Sequence, residues 1–556
     1  MREQNTGPLH MAESTRQLLP GSNFPESQLR QPPPITLDDK IERCIGNFSW
    51  AQASSDTQFF QAALVSFSGV FDAQQTFITV FTDSEPKWHC TESHRIDSFC
   101  NSPTAADVCS LPGDAWSWDF SPTVSIISEW GLQCAGSFVV GLPASSFFVG
   151  CLIGGLILST LADSSLGRKN MLFMSCLVMS LSSMLTAFST NIWVYAVMRF
   201  VNGFGRATIG TCALVLSTEL VGNKWRGRIG IMSFFGFMLG FLSLPIMAFI
   251  NQGNSWRNLY LWTSIPTIIY SVLVRIFVRE SPRWLLVKGR KEEAVSILQS
   301  IASPTDNNNG GRVNVSFSSL PFEQEPEGPN VNIYAAVKIL VQKRWALRRL
   351  SAVMAVAFGI GLVYYGMPLA LSNLNFNVYL SAAFNALMDL PANLITFFLV
   401  DKLSRKKALI GFTAMGGVSS LLIFIQHNLT LHNGASQLVL ELVSYFSACS
   451  AFNMELIYTI ELFPACVRNS AIAMARQALV LGGVFSPVMV AAGRRNVFWS
   501  YGLFGLIILV SGLFVIGLPE TRGSVLCDTM DEEEYKERTQ RRYDGVHDDE
   551  DDLLLA

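Results

Sequence analysis

Acidic and basic side chains recur at matching positions beside the apolar runs of this sequence. Glu219 and Arg226 stand seven residues apart, and Glu461 and Arg468 repeat that spacing 242 residues further along. Two more sets follow a similar offset: Asp163 with Arg168 against Asp401 with Arg405, and Glu280 against Glu520. Such groups can form ion pairs between helices and still reach water, so these ion pairs can form and break reversibly. The repetition predicts two homologous halves with the same charged groups at the same depth.

Besides Glu219 and Glu461 at the ends of two apolar runs, four acids lie further inside such runs: Asp72, Asp389, Glu441 and Glu455. A carboxylate beside aromatic faces suits an organic cation, because a desolvated cation over Tyr or Trp gains about 2 kcal/mol. For Asp72 two interpretations stay open, a binding or proton-coupling group and a structural hydrogen-bond partner. Glu441 and Glu455 are better explained as polar contacts between helices or as cavity lining, although Glu455 stays among the candidate binding residues.

The composition indicates the elements that hold these groups. Of 556 residues, 50% are hydrophobic and only 15% are charged, and the mean hydropathy is +0.33. Runs of about 20 apolar residues, enough for a helix to cross a bilayer, recur twelve times. They lie at 59–82, 137–161, 171–189, 192–219, 229–250, 257–277, 350–371, 378–400, 408–426, 437–462, 469–491 and 497–518. We expect an all-α membrane protein.

The first of these spans carries a polar stripe. Ser68, Asp72, Gln75, Thr76 and Thr79 fall within an arc of about 100° on a helix. A polar stripe that faced lipid would be costly, so it should face the interior or a water-filled cavity. Gln75 joins Asp72 as a candidate binding residue on this stripe.

Basic residues are concentrated in the loops after even-numbered spans, and the positive-inside rule then places both termini in the cytoplasm. Residues 1–58 are polar and contain no cleavable signal peptide, so the first span should direct insertion. The acidic C-terminal segment should be solvated and mostly disordered, and it ends in a possible dileucine sorting signal at Leu553 and Leu554. The predicted parts are an N-terminal tail (1–58), a first half (59–277) with an external loop (83–136), a linker with helices (278–349), a second half (350–518) and an acidic tail (519–556).

The external loop holds four cysteines: Cys90, Cys100, Cys109 and Cys134. Four cysteines in one polar loop of a membrane protein indicate an oxidising side and two disulfides, with three connectivities possible. Free thiols are the alternative. Asn428 begins the sequon NLT on another external loop and is a candidate glycosylation site close to the membrane.

Several stretches resemble known families. LADSSLGRKN (161–170) and its weaker copy DKLSRKK (401–407) resemble the loop signature of the major facilitator superfamily. ESPRWLL (280–286), YTIELFPACVRN (458–469) and LPETRG (518–523) resemble the organic cation/carnitine transporter family, and most of all its plant branch. The resemblance covers residues 59–525. One departure is Ser159, which stands where that loop signature has a glycine.

The resemblance implies twelve transmembrane helices in two pseudo-symmetric six-helix halves, with cytoplasmic helices between helices 6 and 7. A substrate site near the bilayer midplane would then be reached by alternating access. It implies that Asp389 in ALMDLPA, Tyr364 with the adjacent Tyr365 in YYG, and Phe237 line that site. Independently of the resemblance, the recurrence of the cytoplasmic charges in both halves suggests that they latch the two halves in the outward-facing state and release on the inward swing; ordinary membrane anchoring is the alternative.

A second departure concerns the charge of the substrate. Animal organic cation carriers have Asp, and anion or zwitterion carriers have Arg, at the position that is Val480 here. Arg476 lies one turn earlier. It could hold a carboxylate bidentately, as in a zwitterion such as carnitine whose ammonium binds Asp389, or it could pair with Glu455. We leave both interpretations open.

The sequence gives little support to other function classes. The histidines show no metal-binding or triad spacing, and no GxxxxGK[ST] loop is present, so we expect neither an enzyme nor a metal or other cofactor. Transport would be facilitated or coupled to protons or sodium. We expect a monomer in a lipid bilayer, without nucleic acid, in the plasma membrane or alternatively the vacuolar membrane. A substrate-sensing receptor and a sugar porter are the alternative hypotheses. The sugar porter is considered because ESPRWLL and PETRG also resemble sugar porters.

Overall fold

The computed structural model describes residues 57–91, 108–112, 115–161, 166–221, 223–301, 333–374, 376–399, 402–429, 434–524 and 527–537. Asp163, Asp401 and Cys100 lie outside these residues, as do most of the N-terminal tail, much of the linker and the last part of the acidic tail. The boundaries predicted for the tails therefore stay predictions.

Helices occupy every predicted span in the described residues. The first half contains α1 Thr57–Ser66, α2 Ser68–Phe77, α3 Thr79–Thr82, α4 Ile126–Glu129, α5 Ser137–Leu161, α6 Arg168–Thr186, α7 Ile192–Arg206, α8 Ile209–Glu219, α9 Asn223–Ile250 and α10 Trp256–Phe277. The linker carries α11 Pro282–Val287, α12 Lys291–Ile301 and α13 Ile333–Gln342. The second half contains α14 Arg344–Ala370, α15 Val378–Leu399, α16 Arg405–Asn428, α17 Gly434–Leu462, α18 Ala465–Gly493 and α19 Tyr501–Leu513. Residues 530–537 form α20.

Nine helices in the described part of the chain are long and apolar enough to cross a membrane. The first and fourth predicted spans are each divided into shorter helices, and the third corresponds to α6. The count of twelve spans therefore stays a prediction.

Polar side chains of the first span bond to backbone carbonyls within the span. Ser68 Oγ donates to the carbonyl of Val65 over 2.8 Å, and Thr76 Oγ1 donates to the carbonyl of Asp72 over 2.7 Å. Such local bonds offer the backbone an alternative to the regular helical ladder. All five residues of the predicted polar stripe are buried, which agrees with a stripe that faces the interior of the protein.

The two halves meet along two helix pairs, α5 with α18 and α9 with α15. At the α5–α18 contact the backbones approach so closely that a Cβ atom on Gly141 would lie 2.8 Å from backbone atoms of Val488. Ser145 Oγ nearby donates to the carbonyl of Val484 over 2.8 Å. Small residues at this crossing let the two halves pack with backbones in contact.

The 83–136 loop packs against one end of the bundle, which we call the loop face. Strands β1 Trp88–Cys90 and β2 Trp116–Trp118 pair antiparallel. A disulfide joins Cys109 to Cys134, which confirms the prediction for these two residues, and Cys90 is also disulfide-bonded. Trp256 Nε1 at the start of α10 donates to Glu129 of the loop over 2.7 Å, so the loop is tied to the first half.

The opposite end of the bundle carries α11, α12, α13 and α20, and we call it the linker face. The first part of the acidic segment departs from the predicted solvated tail, because residues 530–537 form a helix against α14; residues 538–556 lie outside the described residues, and the prediction for them stays a prediction. Glu533 pairs with Arg349 at 2.8 Å, and Glu534 pairs with Lys343 at 2.6 Å. The Arg349 side chain is only 5% exposed, and a buried cation needs such a partner.

Candidate substrate-binding site

The carboxylate of Asp389 is buried near the middle of α15. Its Oδ1 atom accepts hydrogen bonds from the Cys449 thiol at 3.0 Å and from the Tyr445 hydroxyl at 3.5 Å. Its Oδ2 atom is buried and has no hydrogen-bond partner in the described residues. No basic side chain of the described residues pairs with this carboxylate. A buried carboxylate with a free oxygen and no cation of its own is suited to an external cation.

Aromatic rings stand beside this carboxylate. Tyr364 of α14 stacks with Tyr445 at 5.8 Å between ring centroids and with Phe452 at 5.6 Å. Tyr445, Cys449 and Phe452 lie at positions i, i+4 and i+7 of α17, so they share one face of that helix. We call Asp389, Tyr364, Tyr445, Cys449 and Phe452 the acid–aromatic site.

A cleft lies between the halves, nearer the linker face than the acid–aromatic site, and none of the residues of that site lines it. It has a volume of about 380 Å³ and is lined by α9 on one side and by α15 and α17 on the other. Leu390, the neighbour of Asp389, is part of its lining, together with Asn393 and Asn453. The cleft falls in the size range of small-molecule pockets.

At the loop face the halves are in contact. Arg494 Nη2 of the second half donates to the carbonyl of Asp83 in the first half over 2.9 Å. Tyr379 stacks on Phe81 at 5.7 Å across the same junction. The space left there is about 30 Å³. The molecule is therefore closed at the loop face and open toward the linker face.

A second charged cluster lies in the first half, close to the α5–α18 contact. Asp72 of α2 forms a two-point ion pair with Arg206 at the end of α7, with Arg206 Nε on Oδ1 and Nη2 on Oδ2. Both side chains are nearly buried, at 8% and 10% exposed. Sequence analysis did not identify Arg206 as the partner of Asp72, because the two residues are 134 positions apart and lie on different helices. An unexplained intramembrane arginine was the available signal, since such a group requires a counter-charge.

Arg476 of α18 stands near this pair without joining it. Its Nη2 atom is 3.4 Å from the place where a Cβ on Gly210 would lie, and Asp72 Oδ2 is 3.7 Å from that place. Arg476 also interacts electrostatically with Tyr365 and Arg206. Its side chain is exposed, and it forms no ion pair with any described acid. Glu455 instead accepts from Thr459 Oγ1 over 3.1 Å, so the proposed Arg476–Glu455 pair is not formed.

The remaining predicted site residues, Gln75 and Phe237, make contacts within the first half. Gln75 is fully buried within the first half, where Nε2 donates to Thr263 and Oε1 accepts from Asn202, both over 3.1 Å. This packing accounts for both ends of the Gln75 side chain. Phe237 contacts Phe77 at 6.2 Å between ring centroids. A direct role for Gln75 or Phe237 in binding stays a prediction.

Comparisons with known proteins decide the family. The family model described as sugar (and other) transporter matches residues 66–531. The chain is 74% identical to organic cation/carnitine transporter 2 of Arabidopsis thaliana over 95% of this chain and 98% of that protein. It is 69% identical to organic cation/carnitine transporter 3 of the same plant, over 96% of this chain and all of that one.

The chain belongs to the plant organic cation/carnitine transporter family.

More distant members and structures agree with this assignment. Human organic cation/carnitine transporter 2 is 31% identical over 75% of this chain and 73% of that protein. The inward-open structure of the xylose transporter XylE from E. coli superposes with a TM-score of 0.59 at 17% identity, covering 84% of this chain and 98% of that one. The major facilitator fold and the resemblance predicted from the motifs are thereby confirmed. The protein is a multi-pass membrane transporter.

The repeated charges of this transporter lie at its linker face. In the second half, Arg405 at the start of α16 pairs with Glu461 at the end of α17, at 3.0 Å, and Thr521 Oγ1 donates to the same carboxylate over 2.6 Å. This pair therefore joins helices within one half, whereas the latch hypothesis places such pairs between the halves. Arg468 Nε donates to the carbonyl of Phe463 over 3.2 Å.

The corresponding residues of the first half are Glu219, Arg168 and Arg226. Glu219 Oε2 is buried without a hydrogen-bond partner in the described residues. Arg168 and Arg226 each take part in an interaction. The role of all these charges in gating stays a prediction.

Glu280 of ESPR and Glu520 of PETRG make equivalent hydrogen bonds in the two halves. Glu280 accepts from the backbone N–H of Lys169, at the start of α6, over 3.1 Å. Glu520 accepts from the backbone N–H groups of Arg405 and Lys406, at the start of α16, over 2.9 and 3.3 Å. A carboxylate at a helix N-terminus satisfies free N–H groups and complements the helix dipole. The duplication predicted from the sequence thus extends to hydrogen bonding.

The contacts of Glu520 predict a pH-dependent stability. Burial raises the pKa of Glu520, but hydrogen bonds from Ser404 and from the backbone N–H groups of Arg522, Arg405 and Lys406 outweigh it and lower the pKa below its usual value. The stabilisation is therefore full above the ordinary glutamate pKa and is lost as the pH falls through the lowered value. We expect Glu520→Gln to cost about 1 kcal/mol at neutral pH, as for loss of a helix cap.

This prediction is measured as the Tm of purified protein in detergent between pH 7 and pH 3.5. The difference in Tm between the wild type and Glu520→Gln should become smaller as the pH is lowered toward 3.5. Glu292→Gln, which removes an exposed acid from α12, is the matched control and should follow the wild type throughout. A constant Tm difference across the pH range would contradict the account.

Proposed function

We propose that this protein carries small organic cations, and zwitterions with a cationic head, across a membrane by alternating access. The observation that carries the proposal is the buried Asp389 carboxylate, which has a free oxygen, aromatic neighbours and no basic partner in the described residues. The names of the curated relatives, organic cation/carnitine transporters, support the same substrate class.

The acid–aromatic site suits an alkylated ammonium group for two reasons. Tyr364 and Tyr445 present ring faces next to a carboxylate, and a desolvated cation gains about 2 kcal/mol over such a face. A quaternary ammonium donates no hydrogen bonds, so the donors that already occupy Asp389 Oδ1 do not compete with it. Sugars would need several hydrogen-bonding side chains around the ligand, and the described neighbours of Asp389 are mainly rings.

Arg476 supplies a second subsite for zwitterions. It is exposed between the halves and forms no ion pair with the described residues. Tyr365 interacts electrostatically with Arg476, and the adjacent Tyr364 belongs to the acid–aromatic site. The two subsites are therefore bridged by consecutive residues of α14. A zwitterion such as carnitine would place its ammonium at Asp389 and its carboxylate at the guanidinium of Arg476.

The remaining parts of the proposal concern direction and energy. The linker face is cytoplasmic, because the basic loops and linker lie there, and the structure then corresponds to a state open to the cytoplasm.

The Asp72–Arg206 pair is the proton-coupling element, since protonation of Asp72 would release a buried arginine. The protein acts as a monomer in the plasma membrane, and it turns over its substrate rather than sensing it.

Counterflow in proteoliposomes tests the proposal. Vesicles loaded with unlabelled choline, carnitine, spermidine or glucose are diluted into the labelled compound, and the transient accumulation of label is recorded. We expect counterflow with at least one cation or carnitine and none with glucose. Arg476→Gln should lower carnitine counterflow about tenfold while choline counterflow stays within a factor of two, since a lost charge-assisted hydrogen bond is worth about 1.5 kcal/mol.

Lys338→Gln removes a cation that is exposed at the linker face and serves as the matched control, with both substrates unaffected. Binding of a cation without counterflow would favour a receptor and overturn the transport proposal. Counterflow of glucose alone would favour a sugar porter. Equal losses of carnitine and choline in Arg476→Gln would remove the zwitterion subsite and leave the cation site standing.

A further inference from the structure

A separate pocket lies at the linker face of the first half, away from the cleft between the halves. It encloses about 550 Å³ between the start of α6, the end of α10 and the helices α11 and α12. Four basic residues line it, Lys169, Arg275, Arg279 and Arg290, against two acids, Glu280 and Glu293. The transport mechanism uses none of the four cations.

Both acids of the pocket make contacts of their own, although Glu280 Oε2 is buried without a partner in the described residues. Glu293 pairs with Arg290 at 2.6 Å, and Glu280 accepts from the backbone N–H groups of Lys169 and Ser281. The side chains of Lys169, Arg275 and Arg279 form no ion pair with a described acid. Burial, with the nearby charges of Arg275 and Arg279, lowers the pKa of Lys169, although the charge of Glu280 acts in the opposite direction. The pocket is thus a site of uncompensated positive charge.

Trp284 provides an unused hydrogen-bond donor in the same place. It lines the pocket and is only 5% exposed, and its indole N–H has no partner in the described residues. A buried donor without an acceptor costs free energy that a ligand oxygen would recover. An anion with several oxygen acceptors satisfies the free cations that line the pocket.

The pocket also borders the lipid. Ile276 and Phe277, at the end of α10, line it and are 65% and 52% exposed. In a membrane-spanning helix such side chains face acyl chains. An anion held by the basic residues would therefore sit directly beside hydrocarbon, at the level of the headgroups.

We propose that this pocket binds the headgroup of an anionic phospholipid that carries a phosphate monoester, with its acyl chains against Ile276 and Phe277. A phosphate monoester carries a charge of about −1.5 to −2 near pH 7, which balances the net excess of two cations in the lining. Basic pockets between helices at the cytoplasmic side recognise such headgroups. The site is independent of the substrate proposal, and it needs only the linker face to lie at a leaflet that contains such lipid.

Binding is measured on full-length protein in detergent with dioctanoyl phosphatidylinositol 4-phosphate, by native mass spectrometry and by the shift in Tm. Each basic residue near an anionic surface contributes about 1 kcal/mol, or about fivefold in affinity. We therefore expect about fivefold weaker binding for Arg279→Gln and at least tenfold weaker for Arg275→Gln with Arg279→Gln. Lys288→Gln removes an exposed cation beside the pocket that does not line it, and it should bind as the wild type does.

Three further ligands separate the possible sources of the anion. Dioctanoyl phosphatidylcholine should bind at least tenfold more weakly, because it carries no net charge. Inositol 1,4-bisphosphate, which lacks the acyl chains, should also bind at least tenfold more weakly than the lipid, and inorganic phosphate should compete only at high concentration. Equal binding of the headgroup alone would show a soluble phosphate ligand and overturn the lipid assignment.

Two other outcomes would overturn the proposal. One is binding that is unchanged in the double variant and in Arg279→Glu, with elution and Tm that show folded protein. The other is equal loss of binding in Lys288→Gln, which would indicate general surface charge. Counterflow of substrate is recorded on the same variants, so that a failure of the lipid site is distinguished from a failure of the transporter.

Discussion

Asp389→Asn should reduce uptake of a labelled organic cation at least 100-fold in kcat/KM. The carboxylate is buried, its Oδ2 atom has no partner in the described residues, and Tyr364 and Tyr445 stand beside it. A desolvated cation without its carboxylate loses about 3 kcal/mol or more, which corresponds to about 100-fold. The amide keeps the size of the side chain, so the helix packing around α15 should persist and the Tm should change little.

Glu441→Gln is the matched control for Asp389→Asn. Glu441 is also a buried acid within a span: one oxygen accepts from Asn385 Nδ2 over 2.9 Å, and Oε1 has no partner in the described residues. It differs from Asp389 in lying outside the acid–aromatic site. Uptake in Glu441→Gln should stay within about threefold of the wild type, the scale of one neutral hydrogen bond. If both variants lost uptake equally, the effect would belong to intramembrane acids in general, and Asp389 would no longer be the cation site.

The sequence allowed Asp389 to be predicted as a site residue, but not its neighbours on α17. Asp389 could be recognised because an unpaired acid inside an apolar run demands an explanation. Tyr445, Cys449 and Phe452 were not recognised, because aromatic residues and cysteines at helical spacing are ordinary core residues until a neighbouring helix brings an acid against them. That neighbour is set by tertiary packing of α15 on α17, which local patterns do not encode.

Partners of charged residues were similarly hard to predict. The repeat located Glu461 and Arg405 but did not show that these two pair with each other across helices. Gln75 shares a stripe with Asp72, yet the two face different neighbours, Thr263 and Arg206. Periodicity assigns a side chain to a face of its helix, whereas its partner depends on how that helix is rotated against the others.

The acidic C-terminal segment shows the same limit. Its composition indicated a solvated tail, and charge density alone favours that state. A buried cation, Arg349, provides the energy that orders residues 530–537, because Glu533 compensates it at 2.8 Å. The relevant cation lies more than 180 residues earlier in the chain, so no local window contains both groups.

Asp72→Asn should abolish proton-driven accumulation of substrate and lower the Tm. Arg206 would lose the only carboxylate it pairs with in the described residues, and breaking a buried ion pair costs about 3 to 5 kcal/mol. Accumulation against a gradient is measured in proteoliposomes with an imposed pH difference, and counterflow without a pH difference is measured on the same vesicles. We expect accumulation to fall at least 100-fold, while counterflow persists in the fraction of protein that remains folded.

The double variant Asp72→Asn with Arg206→Gln separates coupling from structure. It removes both charges, so no buried cation remains uncompensated, and the Tm should return close to that of the wild type. If Asp72 carries the proton, the stable double variant should still catalyse counterflow and still fail to accumulate substrate when a pH difference is imposed. If accumulation returned together with stability, Asp72 would be a structural partner of Arg206, and the coupling proton would have to bind elsewhere.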